Sequence, residues 1–445
     1  MISRDAILAR PTLKIVLLSL SLRLITSVVL CSVHRFFPSF DASAARLSSP
    51  LSFNYQSFVR WDTVYFIEIA RDGYTQEQRL AFFPGLPGIL RIGGELLRRI
   101  KGGKDVSNED MVLSGVVPTT LATTGAAVLL YKLTLDLFKS PRYSFVTSML
   151  FLLAPARAVL HAVPYTEPFS AFFTFAAMLS FVRHQDLVSS LLFACGTLFR
   201  AQGAVLGLGF FGWRYILEKP FSSNRFSGKR LMGGVIVMGL LSPISAAPFL
   251  AFQAFAYRQY CSIPEDLRPW CTSTFGFSYD WIQSHYWDVG PFRYWTLQQS
   301  PNFLLAAPVL FLSFSASYAY YSSRPRFVLS KTLPFIFSLR SEMSKTTTTT
   351  ISTQRPFLSP SILPFVHLHT ATTLLLFVSS HVQIILRLCI VNPVIWWYAT
   401  DLVLSEGGTD ECRRSRRKWG ERWVSYSIVW GSLSIVCWAL FLPPA

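Results

Sequence analysis

The chemistry of this chain opens on an aspartate that follows an arginine and a tryptophan. In Arg60-Trp61-Asp62 the carboxylate is followed by Tyr65, Phe66, Glu68 and Gly73-Tyr74. The spacing predicts a helix from Trp61 to Arg71 that ends near Gly73, a residue suited to a left-handed C-cap. Asp62 then lies in the first turn. There it either complements the positive end of the helix dipole or stands as a carboxylate among aromatic rings. In the second case it can take a proton from a sugar hydroxyl as that oxygen attacks. Cys261 and Cys271 share one polar loop, and they can pair if that loop faces an oxidising compartment. No metal-type spacing such as C-x-x-C is present. Asp105, Glu109 and Asp110 cluster beside a Lys/Gly-rich turn and read as a solvated loop.

The elements that position these residues follow from composition. Of 445 residues, 51% are apolar and only 15% charged, with a mean hydropathy of +0.38. Soluble chains carry about 25% charge. The apolar residues lie in blocks of about twenty without alternation, the length of a helix that crosses a bilayer. Barrel strands would alternate over about ten residues. The expected fold is therefore an all-α polytopic membrane protein with about nine to eleven transmembrane helices. The expected spans are 13–33, 111–131, 143–160, 168–182, 187–199, 203–217, 231–257, 303–322, 361–380, 384–404 and 425–442. The whole chain, 1–445, reads as one polytopic domain. Arg23 lies inside the first span and is expected to face protein or snorkel.

The net charge of +17 would suggest nucleic acid in a soluble protein, but here it reads as cytoplasmic loops rich in Lys and Arg, with no nucleic-acid partner. With a cytoplasmic N-terminus, the segments 132–142, 214–230, 323–360 and 405–424 fall on the cytoplasmic side. The cluster Arg413, Arg414, Arg416, Arg417, Lys418 is the strongest of these signals. Loops 34–110 and 258–302 then share the opposite side with the turns at 161–167, 200–202 and 381–383. Segment 323–360, with Thr346–Thr350, reads as a basic low-complexity insertion without chemistry.

Several short motifs, taken in order, resemble one family. Arg60-Trp61-Asp62 is followed by Ile69-Ala70-x-x-Gly73-Tyr74 and Ala81-Phe82-Phe83-Pro84-Gly85-x-Pro87, then by Pro164-Tyr165-Thr166-Glu167 and Arg268-Pro269-Trp270-Cys271. Tyr286-Trp287-x-Val289-Gly290, Arg293-Tyr294, the run Pro301 to Pro308, His381-Val382-Gln383 with Arg387, and Trp396-Trp397-Tyr398 complete the set. The series resembles the second mannosyltransferases of glycosylphosphatidylinositol (GPI) anchor assembly, from about residue 55 to 400. It departs at Arg200-Ala201-Gln202-Gly203, where R-S-N-G is common in the family and only Arg and Gly carry over. It departs again at Pro168, where Ser is more usual.

The resemblance implies a GT-C-type glycosyltransferase in the endoplasmic reticulum membrane, with its active site in the lumen. It implies α-1,6 transfer of the second mannose from dolichyl-phosphate mannose to the GPI precursor, without a metal or other cofactor. A small accessory membrane subunit is an implied partner. Carried onto this sequence, Asp62 is the catalytic base, with Arg60 and Trp61 beside the substrate. Arg200 is the candidate for the departing phosphate, the alternative being an ion pair with Glu167. Glu167 itself is a substrate ligand or an N-cap before Pro168. His381 and Arg387 are candidates for the acceptor's phosphate or glucosamine, the alternative for His381 being a plain interfacial histidine, and Gln383 is a further substrate-binding candidate. Trp270, Tyr286 and Trp287 either stack on sugar or belong to an interfacial aromatic belt. Another dolichyl-phosphate-sugar transferase is the alternative enzyme, and a lipid or solute transporter is the alternative of a different class.

Overall fold

The computed structural model describes residues 10–41, 47, 51–221, 226–262, 267–334, 355–407 and 409–442, and only the backbone of residues 388 and 389. The regular structure is helical, with no strand among the described residues. The main helices are α1 (Pro11–Phe36), α2 (Asp62–Asp72), α3 (Gly85–Lys101), α4 (Asn108–Phe138), α5 (Pro141–Leu152), α6 (Thr166–Val182) and α7 (Asp186–Thr197). They continue as α8 (Gln202–Gly212), α9 (Gly228–Tyr260), α10 (Ser278–Trp287), α11 (Ser300–Ser323), α12 (Leu363–Ser379), α13 (Pro393–Leu404) and α14 (Asp410–Ala439). Helix α6 packs between α4 and α7, and α7 contacts α8 and α9. The other flank runs from α12 through α11 to α13, and α13 meets both α5 and α14. Helix α1 joins α14 back to α4.

Five helical stretches are long and apolar enough to cross a membrane: α1, α4, α9, Leu297–Ser323 and Pro360–Ser379. Helices α6 and α7 are shorter apolar helices. Several expected spans are therefore broken, and each break has a local cause. The span expected at 143–160 stops at Leu152, because Pro155 and Pro164 cannot continue a helix. The chain then runs as a buried, mostly irregular segment with one helical turn, Arg157–His161. Irregular backbone is tolerated at membrane depth only when protein surrounds it. The span expected at 384–404 is interrupted before Pro393, so short turns over 382–391 lead into α13, which Asn392 caps. The basic stretch expected as loop 405–424 is helical from Asp410, capped by Thr409, and continuous with the last apolar helix.

The first loop contains helices α2 and α3. The motif around Pro84 lies between them. It starts the 17-residue α3, which exposes Ile92, Leu96 and Ile100 and carries Arg91, Arg98, Arg99 and Lys101. Exposed apolar and basic residues together suit a helix lying in the membrane boundary. Of the acidic trio, Asp105 is an exposed loop residue as expected, but the other two are not: Asp110 closes a capping box with Ser107 at the start of α4 and pairs with Lys101, while Glu109 accepts from the Ser52 N–H. Arg23 faces protein, donating to the carbonyls of His161 and Ala162. Thr346–Thr350 lies outside the described residues. Within the proposed insertion Arg355 is described, and it pairs with Asp401 at 2.7 Å instead of being solvated.

A small second core covers one end of the bundle. Leu80, Phe83, Phe252, Trp270 and Ile282 form it, drawing the first loop, the end of α9 and the 267–287 segment together. Cys261 and Cys271 are bonded there, with Cα atoms 5.6 Å apart.

Candidate active site

Four separate segments bring their polar ends to one point beside that small core. Asp62 is the first residue of α2, after Trp61 at φ 52. A tryptophan at positive φ is strained. The strain is held because Arg60 behind it is anchored on all sides: its guanidinium meets His34 Nδ1 at 3.4 Å, Ser39 Oγ at 3.0 Å and the Ala439 carbonyl at 3.5 Å. Arg60 is thus 2% exposed and turned away from the site. It fixes where α2 begins, while Trp61 is partly exposed and packs on Phe441.

Asp62 Oδ2 accepts from the Tyr165 hydroxyl at 2.6 Å and from Arg387 Nη1 at 2.8 Å. Arg387 Nη1 also donates to the Tyr165 oxygen at 2.6 Å. Tyr165 and Glu167 flank the start of α6, where Glu167 is fully buried and accepts from Arg200 Nη2 at 2.5 Å. Arg200 Nε donates to Thr166 Oγ1 at 3.2 Å, and Arg387 Nε lies 3.9 Å from Glu167. Two carboxylates and two guanidiniums therefore form one balanced cluster. One acceptor and one donor remain unspent: Asp62 Oδ1 and Arg200 Nη1 make no hydrogen bond among the described residues. The Asp62 side chain is 30% exposed, so its free oxygen is reachable.

Burial alone would raise the Asp62 carboxyl, but Arg387, the Tyr165 hydroxyl and Arg200 outweigh it and hold the group below the ordinary carboxylate value. It is ionised at neutral pH, the form a general base requires.

Two glycines account for how Arg200 arrives. The turn between α7 and α8 is tight because Gly203 abuts the Phe193 carbonyl, where any Cβ would lie 2.6 Å away. Gly85, at the start of α3, donates its N–H to the Leu198 carbonyl at 2.8 Å, and a Cβ there would lie 2.6 Å from that oxygen. The Pro84-Gly85 motif thus supports the Arg200 turn from below. Arg387 comes from the one-turn helix Ile385–Leu388, which the break before Pro393 makes possible.

The structure brings Asp62, Glu167, Arg200 and Arg387 together and leaves the other candidates outside. Glu167 is not an N-cap; it lies inside the first turn of α6, after Tyr165 in the cap position. Trp270 is 1% exposed and donates Nε1–H to Glu77, so it is a core residue with no free face for a sugar or a lipid interface. His381 meets the Trp287 carbonyl at 2.6 Å and stacks on Tyr294, whose hydroxyl donates to Gln383 at 2.9 Å. His381 and Gln383 thus hold the segment that delivers Arg387. Tyr286 is exposed and its hydroxyl donates to Glu77 at 3.2 Å. Trp287 is half-buried against Phe82, and Phe82 stacks on Tyr65. Tyr165 was missed as a site residue, although it stands within the Pro164-to-Glu167 motif. Its signal was a phenol two residues from a candidate carboxylate. Glu77, the hub of the second core, had no sequence signal.

The family model described as mannosyltransferase (PIG-V) matches residues 6–445. A GPI mannosyltransferase 2 of Cryptococcus neoformans is 31% identical over 442 residues, 95% of this chain and 96% of the relative. The human GPI alpha-1,6-mannosyltransferase 2 is 34% identical over 376 residues, 77% of this chain and 72% of the relative. Among solved structures, the Archaeoglobus fulgidus oligosaccharyltransferase tethered to an acceptor peptide matches 95% of this chain with TM-score 0.46 and 11% identity. This chain spans 55% of that protein's length.

Proposed function

The chain belongs to the mannosyltransferase (PIG-V) family and is a GPI mannosyltransferase; we propose that it moves the second mannose, in α-1,6 linkage, from dolichyl-phosphate mannose to the GPI precursor at the lumenal face of the endoplasmic reticulum membrane. The observation that carries the mechanism is the unspent, reachable Oδ1 of Asp62 beside two arginines.

The reaction is a single displacement. The acceptor hydroxyl oxygen bonds to the anomeric carbon of the donor mannose while the bond from that carbon to the phosphate oxygen breaks. The electron pair leaves on dolichyl phosphate, and the hydroxyl proton passes to Asp62 Oδ1. A carboxylate held below its ordinary value is a weak base. It suffices because phosphate is a good leaving group and the acceptor hydroxyl becomes strongly acidic as its new bond forms. Tyr165 and Arg387 pin Oδ2, which aims Oδ1. The free Nη1 of Arg200 is the donor available to the departing phosphate, and a guanidinium suits that planar recognition. Glu167 balances the two arginines, whose charges would otherwise repel in a partly buried place.

The lumenal orientation is supported by the alternation of Lys and Arg along the chain. The Cys261–Cys271 bond is what an oxidising compartment sustains, and it lies at the same end of the molecule as Asp62. The test is complementation of cells that lack the second GPI mannosyltransferase. Wild type should restore surface GPI-anchored proteins. Asp62→Asn should instead accumulate the one-mannose precursor, and full rescue by that variant would remove Asp62 from the mechanism.

A further inference from the structure

The acceptor is a lipid with a glycan headgroup, so its phosphodiester needs a place of its own. The two residues first assigned to it are engaged elsewhere: Arg387 holds Asp62, and His381 holds the Trp287 carbonyl. The donor's phosphate cannot share the position, because it is bonded to the reacting sugar and must lie at the Asp62 cluster.

A cavity of about 310 Å³ lies at the end of α1, lined by Ser32, His34, Arg35, Phe36, Phe53 and Asn54. No carboxylate lines it. Arg35 is exposed and has no ion-pair partner among the described residues. His34 is 6% exposed and stacks on Phe53 at 4.5 Å. Its Nδ1 faces the Arg60 guanidinium, which can only donate, so the ring hydrogen belongs on Nε2. That ring is held by Arg60, Gln56 and the Phe53 backbone, and it forms part of the cavity wall. The Arg35 cation, the Ser32 hydroxyl and the Asn54 amide make a site for a phosphate oxygen.

Its place in the fold selects a lipid over a free phosphate. The apolar side chains of α1 that face outward, Leu17, Leu20, Leu24, Ile25 and Val28, run up to the cavity, and Phe36 and Phe37 are exposed beside it. That stripe is where acyl chains lie, and the cavity stands where their headgroup begins. The link to the chemistry is short: His34 touches Arg60, two residues before Asp62. A headgroup seated at Arg35 can extend its sugars past Trp61 toward the base.

We propose that the Arg35–His34 cavity holds the phosphodiester of the lipid acceptor, anchoring the far end of the glycan whose hydroxyl meets Asp62. The proposal rests on the mannosyltransfer reading above for the identity of the acceptor.

The test uses the full chain in nanodiscs of neutral lipid. The probes are a one-mannose glucosaminyl-phosphatidylinositol, its counterpart with an alkyl chain joined to inositol without phosphate, and plain phosphatidylinositol. Arg35→Glu should weaken binding of the first by about tenfold or more, the loss of one charge-assisted contact. It should leave the phosphate-free probe unchanged, and Arg35→Lys should recover most of the affinity. In turnover, the KM for the phosphorylated acceptor should rise in Arg35→Glu while the KM for the mannosyl donor stays fixed. Equal losses on both glycan probes, or no loss on either, would overturn the proposal. So would a loss for plain phosphatidylinositol as large as for the glycolipid, which would make the cavity a general anionic-lipid site. Transfer by wild type tests the mannosyltransferase reading separately, because the binding arms do not depend on turnover.

Discussion

Asp401 and Asp62 are both held by arginine, and they differ in access. Asp401, on α13, accepts from Arg355 at 2.7 Å and from Arg416 at 3.4 Å, and its side chain is 2% exposed. Arg416 in turn caps the Glu406 carbonyl. This cluster seals the end of α13 against the start of α14, where Gly420 lets the helices meet at the Leu402 backbone. Asp62 accepts from one arginine and a phenol, but its side chain is 30% exposed and one oxygen is uncommitted. Charge pairing therefore does not distinguish a structural clamp from a reactive centre. An open lone pair, held by neighbours that leave it open, does.

The comparison breaks most sharply by neutralising each carboxylate in turn. Asp62→Asn should cost about a thousandfold or more in mannose transfer, the range of a lost general base together with its charge, with a smaller loss of stability than at Asp401 because the site is open to solvent. Asp401→Asn should do the reverse: removing one partner of a buried pair costs about 3–5 kcal/mol, seen as low abundance with normal turnover per folded molecule. If Asp401→Asn abolished turnover in well-folded protein, the distinction between the two clusters would fail.

Tyr165→Phe sharpens the contrast at the next level. It removes a donor from Asp62 Oδ2, so transfer should fall about ten- to a hundredfold. The pH dependence has a definite sign. In wild type the carboxyl is held below its ordinary value of about 3.9, so the acid limb that it causes lies below that pH. Without the phenol the limb should move up. The same depression stabilises the fold above about pH 3.9 and is lost as pH falls through the folded-state value. An acid limb that does not move in Tyr165→Phe would show that the phenol does not set the base.

Smaller effects follow from the supports. Gly85→Ala should push the Leu198 carbonyl away and withdraw Arg200, raising the donor KM several-fold with modest change in kcat; an unchanged KM would mean that the turn is held by other contacts. Cys261→Ser should lower stability by about 2–4 kcal/mol with the least effect on kcat, because the bond braces the second core and not the charged cluster. Calorimetry beside a transfer assay separates the two.

The sequence made the helices legible because apolar runs of the length of a bilayer have few alternatives. Asp62 stood out by its place at a helix start among aromatic rings, whereas Glu167, Arg200 and Arg387 were marked only by motifs that resemble one family. The sequence misjudged the spans at 143–160 and 384–404 for a physical reason. Prolines interrupt both, yet hydropathy does not register a break that neighbouring helices bury. Trp270 and Arg60 looked like ligands for a similar reason: a motif marks a constrained position without saying which way its side chain turns.

The amino-acid order alone determined that this chain lives in a membrane, that most of its long apolar stretches become helices, and that polar residues stand at their ends. Which of those ends meet was left to packing. The start of α2, the start of α6, the turn before α8 and the break before α13 are as many as 325 residues apart, and only the closed bundle places them within hydrogen-bonding reach. Desolvation and pairing act over a few ångströms, so the role of each charge was fixed by the neighbours that folding supplied.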